Sequence, residues 1–191
     1  MSTHRIAITG GIGSGKTYVC QILRRRGISV YDCDAAAKRL MRTSRSLQEA
    51  LSRLVGKDVC RDGKLQKRIL AEFLLKSEEN KQAVNDIVHP AVAADYLQSG
   101  RQWLESAILF ESGFHERIPF DWVICVTAPL SLRVSRIMQR DGISREKAFE
   151  WIERQMPQEE MASLSDLIIE NDGVGDLERQ VDEILKKIKH I

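Results

Sequence analysis

The sequence has no long apolar run, few aromatic residues and no marked excess of either charge. No hydrophobic stretch approaches the roughly 18 residues of a membrane span, so no transmembrane segment is expected. Aromatic residues make up 6% of the chain and form no stripe interleaved with basic residues, which argues against a surface for single-stranded nucleic acid. Lys plus Arg total 29 against 27 Asp plus Glu, a balance that argues against a dedicated nucleic-acid binder. The basic runs at 24–26 and 186–189 read as solvated helix ends that complement the helix dipole. Cys20, Cys33, Cys60 and Cys125 form no C-x-x-C pair and have no metal-site spacing, so reduced thiols are expected. There is no internal repeat, low-complexity segment or Pro/Gly-rich linker. The first strand pattern begins at Arg5, so no signal peptide is expected, and the chain is expected to be soluble and cytoplasmic.

What the sequence does contain is concentrated in residues 5–18. Gly10 to Thr17 fits G-x-x-x-x-G-K-[ST], with an apolar run, Ile6-Ala7-Ile8, before it and a helical pattern over 16–26 after it. This strand–loop–helix context is what a phosphate-binding loop requires. Glycines let successive backbone N–H groups turn toward a polyphosphate, and the following helix adds its positive end. Gly11, Ile12, Gly13, Ser14 and Gly15 would line that cradle. Lys16 would reach the β- and γ-phosphates, and the Thr17 hydroxyl would ligate Mg²⁺. The expected ligand is a nucleoside triphosphate.

With 191 residues, 43% of them hydrophobic, the chain suffices for one α/β domain with a good core. Strand patterns occur at 5–9, 28–32, 103–110, 121–126 and 166–170, separated by helical stretches, which predicts a doubly wound, five-stranded, mostly parallel sheet. Residues 35–100 read as helical throughout, clearest at 45–55, 67–76 and 90–99. Asp62-Gly63 marks a turn, and His89-Pro90 marks a helix start. Asp32 falls at the carboxyl end of a strand, where open α/β sheets bind ligands, and Asp34 reads as the N-cap of the next helix. After the fourth strand, Arg133, Arg136 and Arg140 share one helix face. Ser144 caps a second helix that runs to Gln155. The division expected is a core of 1–31, 101–130 and 159–191, a helical substrate-binding region of 32–100 and a lid of 131–158.

A phosphate loop alone does not separate kinases from other nucleotide hydrolases. The Asn-Lys-x-Asp element of a GTPase is missing. The run at 104–111 ends in Glu111 only, a weak match to a motor ATPase. An arginine-bearing helix pair favours a kinase, because phosphoryl transfer needs cations around the migrating group and exclusion of water. For Arg133 a solvated surface position is an equal alternative.

Six segments together resemble the dephospho-coenzyme A kinases, phosphate-loop kinases of the nucleoside-monophosphate-kinase type. They are the loop at 9–16, Asp32-Cys33-Asp34, the 62–65 turn, His89-Pro90, Leu109-Phe110-Glu111, and the 136–155 helices closing on 165–173. The resemblance implies ATP- and Mg²⁺-dependent phosphorylation of the ribose 3′-hydroxyl of dephospho-coenzyme A. It implies catalytic roles for Lys16, Asp32 and Arg140. It also implies nucleotide contacts at Arg136 and Asn171, and substrate contacts at Asp32, Asp34, Lys67 and His89. For His89 a helix cap is an equal reading. The segment 171–173 reads equally as an adenine loop or an ordinary turn. Cys33 stands where Ala is usual, Gln66-Lys67 where Asp-Arg is usual, Glu105 where Asp is usual, and Trp151 where Arg is usual. Expected partners are the small-molecule substrate alone, with no nucleic acid and no membrane, in a monomer or weak oligomer. The rivals are a shikimate-type or nucleotide kinase and, from another class, a nucleotide-dependent regulatory or nucleic-acid-remodelling protein.

Overall fold

A computed structural model describes residues 4–61 and 64–189. Among these, seven strands form: β1 (Ile6–Thr9), β2 (Val30–Asp32), β3 (Cys60–Arg61), β4 (Lys64–Leu65), β5 (Trp103–Glu105), β6 (Trp122–Thr127) and β7 (Leu167–Glu170). Five of them build one sheet in the order β2-β5-β1-β6-β7. β1 is buried along its whole length, as a central strand covered on both faces must be. It runs parallel to β5 and to β6, with Thr9 opposite Cys125, and β6 runs parallel to β7.

The chain divides into two compact units, Met1–Tyr31 with Arg101–Ile191, and Asp32–Gly100. In the first, α1 (Lys16–Arg25) buries Val19, Cys20, Ile22 and Leu23, a helical stripe that packs with Ile8, Ile124, Val126 and Val181 in the main core. The helix stops at Gly27, whose φ of 78° is left-handed, while Ile28 N–H closes back on Leu23 O at 3.0 Å. Arg25 and Arg26 do not simply end in water. Arg26 binds Asp182 at 2.5 Å and Glu178 at 2.9 Å, tying α1 to the last helix.

The second unit holds α2 (Cys33–Thr43), α3 (Arg45–Val55), α4 (Lys67–Leu74) and α5 (Glu78–Gln98). It is not helical throughout: β3 and β4 pair antiparallel, Cys60 opposite Leu65. Two-residue strands are too short to leave a periodic signature. The turn expected at Asp62-Gly63 lies outside the described residues. α5 starts at a Ser77 cap, whose hydroxyl accepts from Asn80 N–H at 3.2 Å, and it runs through Pro90 instead of beginning there. Val84, Val88, Val92 and Tyr96 are buried along one side, and that continuous stripe carries the helix past the missing donor. Asp34 is not the N-cap of α2. Asp32 is: its Oδ1 accepts from Ala35 N–H at 2.8 Å.

In the first unit, the strand expected over 103–110 ends at Glu105. Leu109 and Phe110 are buried in the turns that follow, so their apolarity marks core, not sheet. Glu111 therefore lies in a turn, where it accepts from Met156 N–H at 3.1 Å. The short helix α6 (Phe114–Arg117) precedes β6. After β6 come α7 (Leu130–Asp141), α8 (Arg145–Glu153), α9 (Gln158–Ser163) and, beyond β7, α10 (Leu177–Lys189). Ser144 caps α8 as the sequence predicts, accepting from Lys147 N–H at 3.2 Å.

Candidate active site

The phosphate loop joins β1 to α1. Gly15 precedes the helix at φ 100°, so no side chain caps α1 and its first N–H groups stay open to an anion. The glycines also answer to close packing. A Cβ at Gly11 would strike the Arg133 guanidinium, and one at Gly15 would strike the Asn171 amide. Both neighbours come from chain far downstream, so the loop is moulded from outside as well as by its own dihedrals.

Lys16 is buried, and its Nζ donates to Gly10 O at 2.5 Å and Gly11 O at 3.3 Å. Burial lowers its pKa, partly opposed by the Glu105 carboxylate. Arg133 is 4% exposed. Its Nε donates to Ile12 O at 3.0 Å, while Nη2 is buried without a partner among the described residues. Burial lowers its pKa as well. Arg133 is therefore no solvated surface residue but a strut under the loop. Arg136 donates to Gly13 O at 3.2 Å, Ser14 O at 3.3 Å and Asn171 Oδ1 at 3.0 Å. Asn171 Nδ2 donates to Ser14 O at 2.8 Å. The side chains of Arg136 and Asn171 thus grip the carbonyls of Gly13 and Ser14. Arg140, one turn further along α7, points away and pairs with Asp141 at 2.7 Å, its side chain 61% exposed.

Gln155, given no role by the sequence, accepts from Ile12 N–H at 2.6 Å. The sequence marks it only as the end of the helix pair over 136–155, because its contact with Ile12 joins residues 143 positions apart. A cavity of about 620 Å³ opens beside the loop between Pro129, Leu130, Arg133, Met156, Pro157 and Asn171, a size suited to a nucleotide. Cys125 lies behind the loop on β6, where burial pushes its thiol up to about 11, so it stays uncharged and inert.

The glycine cradle, the buried Lys16 and the adjoining cavity fit a nucleoside triphosphate. Thr17 is exposed at the start of α1, and its hydroxyl is a hard oxygen donor of the type Mg²⁺ takes alongside phosphate oxygens. Among the described residues no group of three or more His, Cys, Asp or Glu could hold a metal by itself. The other predicted residues lie in the second unit. Asp32 and Asp34 stand at the start of α2, and Asp34 meets Lys38 at 3.7 Å. Lys67 is exposed at the start of α4, and His89 is half-buried within α5.

A phosphate loop on the central strand of a five-stranded parallel sheet, backed by arginine-bearing helices, defines a phosphate-loop kinase fold. The dephospho-CoA kinase family model matches residues 4–176. A dephospho-CoA kinase of Bacteroides fragilis is 38% identical over 192 residues, 95% of this chain and 91% of that protein. The crystal structure of TT1252 from Thermus thermophilus superposes with a TM-score of 0.78 at 34% identity, covering 98% of this chain and 97% of the other. A dephospho-CoA kinase structure from Campylobacter jejuni gives 0.67 at 25% identity, with 96% of each chain covered. The chain belongs to the dephospho-CoA kinase family.

Proposed function

We infer that this chain transfers the γ-phosphoryl group of ATP to the ribose 3′-hydroxyl of dephospho-coenzyme A, giving coenzyme A and ADP. The observation that carries this is the buried Lys16 in a braced glycine cradle, set in a chain of this family. The new bond forms between the 3′-oxygen and the γ-phosphorus as the bond to the β-bridging oxygen breaks. Asp32 accepts the hydroxyl proton. Its Oδ1 caps α2, which fixes the carboxylate and commits one of its two oxygens. Lys16 turns from the loop carbonyls to the β- and γ-phosphates, where its charge counts most in the transition state. Gly11, Gly13, Gly15, Lys16 and Thr17 supply backbone donors, since the Ile12 and Ser14 N–H groups are taken by Gln155 Oε1 and Gly11 O, and Thr17 would be the protein ligand of Mg²⁺, which when bound would offset the charge of the phosphates. Arg136 and Asn171 serve the nucleotide by holding the loop open. Arg140 is the mobile cation of the lid over 131–158. Asp34, Lys67 and His89 face the acceptor.

The same reading makes the chain a cytoplasmic monomer or weak oligomer with no nucleic-acid partner. No helix among the described residues is long and apolar enough to cross a membrane. The test is ADP release measured in parallel with dephospho-coenzyme A, shikimate, adenosine and nucleoside monophosphates, with and without Mg²⁺. Turnover confined to dephospho-coenzyme A and dependent on Mg²⁺ is expected. Robust turnover on shikimate or AMP with none on dephospho-coenzyme A overturns the reading.

A further inference from the structure

Both backbone polar groups of Ile12, in the phosphate loop, are bonded from outside the loop, and the two partners bracket the helix pair α7–α8. Arg133, early in α7, donates from Nε to Ile12 O at 3.0 Å. Gln155, just past α8, accepts from Ile12 N–H through Oε1 at 2.6 Å. The Ile12 side chain packs against Val134, Ile137 and Ala148, the small buried core of the pair. A Cβ at Gly13 would lie 2.7 Å from Arg133 O, so the loop also rests on the backbone of α7. Ile12 belongs to the loop by sequence and to the helix pair by packing.

In a trans peptide the C=O and N–H point opposite ways, so holding one aims the other. Gln155, by taking Ile12 N–H, turns Gly11 O to the far side, where it accepts from Ser14 N–H at 3.1 Å and Lys16 Nζ at 3.3 Å. Arg133, by taking Ile12 O, turns Gly13 N–H away from α7. Gln155 is itself firmly placed. Met156 N–H donates to Glu111 at 3.1 Å, and Gln158 Oε1 accepts from Ala128 N–H at 2.9 Å. Its oxygen also has the right charge: a neutral amide satisfies Ile12 N–H without repelling a triphosphate, as a carboxylate would. We propose that Gln155 is a positioning residue for phosphoryl transfer, which, together with Arg133, sets the two peptide planes at Ile12 and through them aims Lys16 and the loop donors. The proposal rests on this loop carrying the transferred phosphate, and it adds the outside contact that keeps the loop in shape for transfer. Gln155 acts through Ile12 and not on the nucleotide, and a small misplacement of loop donors is costly in rate.

Gln155→Met keeps the length of the side chain and removes the acceptor, whereas Gln155→Glu keeps the acceptor and adds charge. Gln155 is only half-buried, so both variants should fold. In amide NMR spectra of the nucleotide-free protein, the Ile12 N–H should be protected from exchange. Gln155→Met should shift its resonance and speed its exchange. The same variant should lose about tenfold in kcat with KM for dephospho-coenzyme A unchanged. Gln155→Glu should retain kcat at saturating ATP and raise KM for ATP, a split that a damaged fold does not produce. Arg133→Met combined with Gln155→Met should lose less than the product of the two single losses, because both act on Ile12. A wild-type Ile12 amide that exchanges like an open one overturns the proposal, whatever the variants do. Unchanged kcat in folded Gln155→Met also overturns it, as does a Gln155→Glu no better than Gln155→Met, or losses that simply multiply. Wild-type protein that leaves dephospho-coenzyme A untouched sinks the assigned reaction alone. The same amide and kcat comparisons, made with the acceptor that does turn over, then decide the role of Gln155.

Discussion

Lys16 is a cation kept out of water, bonded to two loop carbonyls and near the Glu105 carboxylate. Such a group is costly to bury unless its charge is used. Lys16→Ala should fold and should lose roughly a hundredfold or more in turnover; near-normal turnover in a folded variant contradicts its role. The loop and this lysine are legible from sequence because the motif is local. Arg133 was not legible in the same way. Helical spacing puts it on a face with Arg136 and Arg140 but cannot say that the phosphate loop covers the first two and not the third. Their partners, Ile12 to Ser14 and Asn171, are set by the tertiary fold. The aspartates at the start of α2 show the same limit, since a cap shifts by two residues when the helix begins earlier than its alanines suggest. Because Asp32 is the cap, Asp32→Asn is a clean chemical probe: Asn caps helices as well as Asp does, so the fold should hold while most turnover is lost. Asp34→Asn gives up only an exposed pair with Lys38, worth about 0–1 kcal/mol, and should cost less turnover. Turnover and thermal unfolding of the two variants side by side decide between them, and greater loss in Asp34→Asn at unchanged stability reverses the assignment.

Elements whose ends carry their own chemistry were readable. Ser144 opens α8 through its capping hydroxyl, which acts on its immediate neighbours. Elements whose limits depend on packing were not. α5 continues through Pro90 because its buried stripe does, and β5 stops at Glu105 although the apolar run goes on. The same division between local and distant bonding sets what α7 does. Arg136 is bonded to the loop and Asn171, so Arg136→Ala removes charged hydrogen bonds, with an expected loss of roughly 2 kcal/mol of stability. Arg140 is bonded to its exposed neighbour Asp141, so Arg140→Ala should leave unfolding unchanged and reduce turnover more than ATP binding. Weakened ATP binding with unchanged turnover would show that Arg140 serves the ground state instead.

At the scale of the whole molecule the chain is two compact units cut at 31/32 and 100/101. Alternating strands and helices predicted the doubly wound sheet, but nothing local could order it, because placing β5 between β2 and β1 pairs residues as distant in the chain as Ile6 and Trp103. The units give the function a testable geography. The phosphate loop, its lysine and its arginine struts all belong to the unit that contains the sheet, whereas Asp34, Lys67 and His89 belong to 32–100. A ligand protects the amides whose opening it opposes, and it stabilises a binding-competent state by about 2.7 kcal/mol at a hundred times its Kd. A non-hydrolysable ATP analogue should therefore slow hydrogen exchange chiefly in segments 6–25 and 122–171. Dephospho-coenzyme A added alone should slow exchange chiefly in α2, α4 and α5. Protection by dephospho-coenzyme A confined to the sheet unit would mean that the acceptor is held by the same residues as the nucleotide. The helical unit would then have to be assigned some other task.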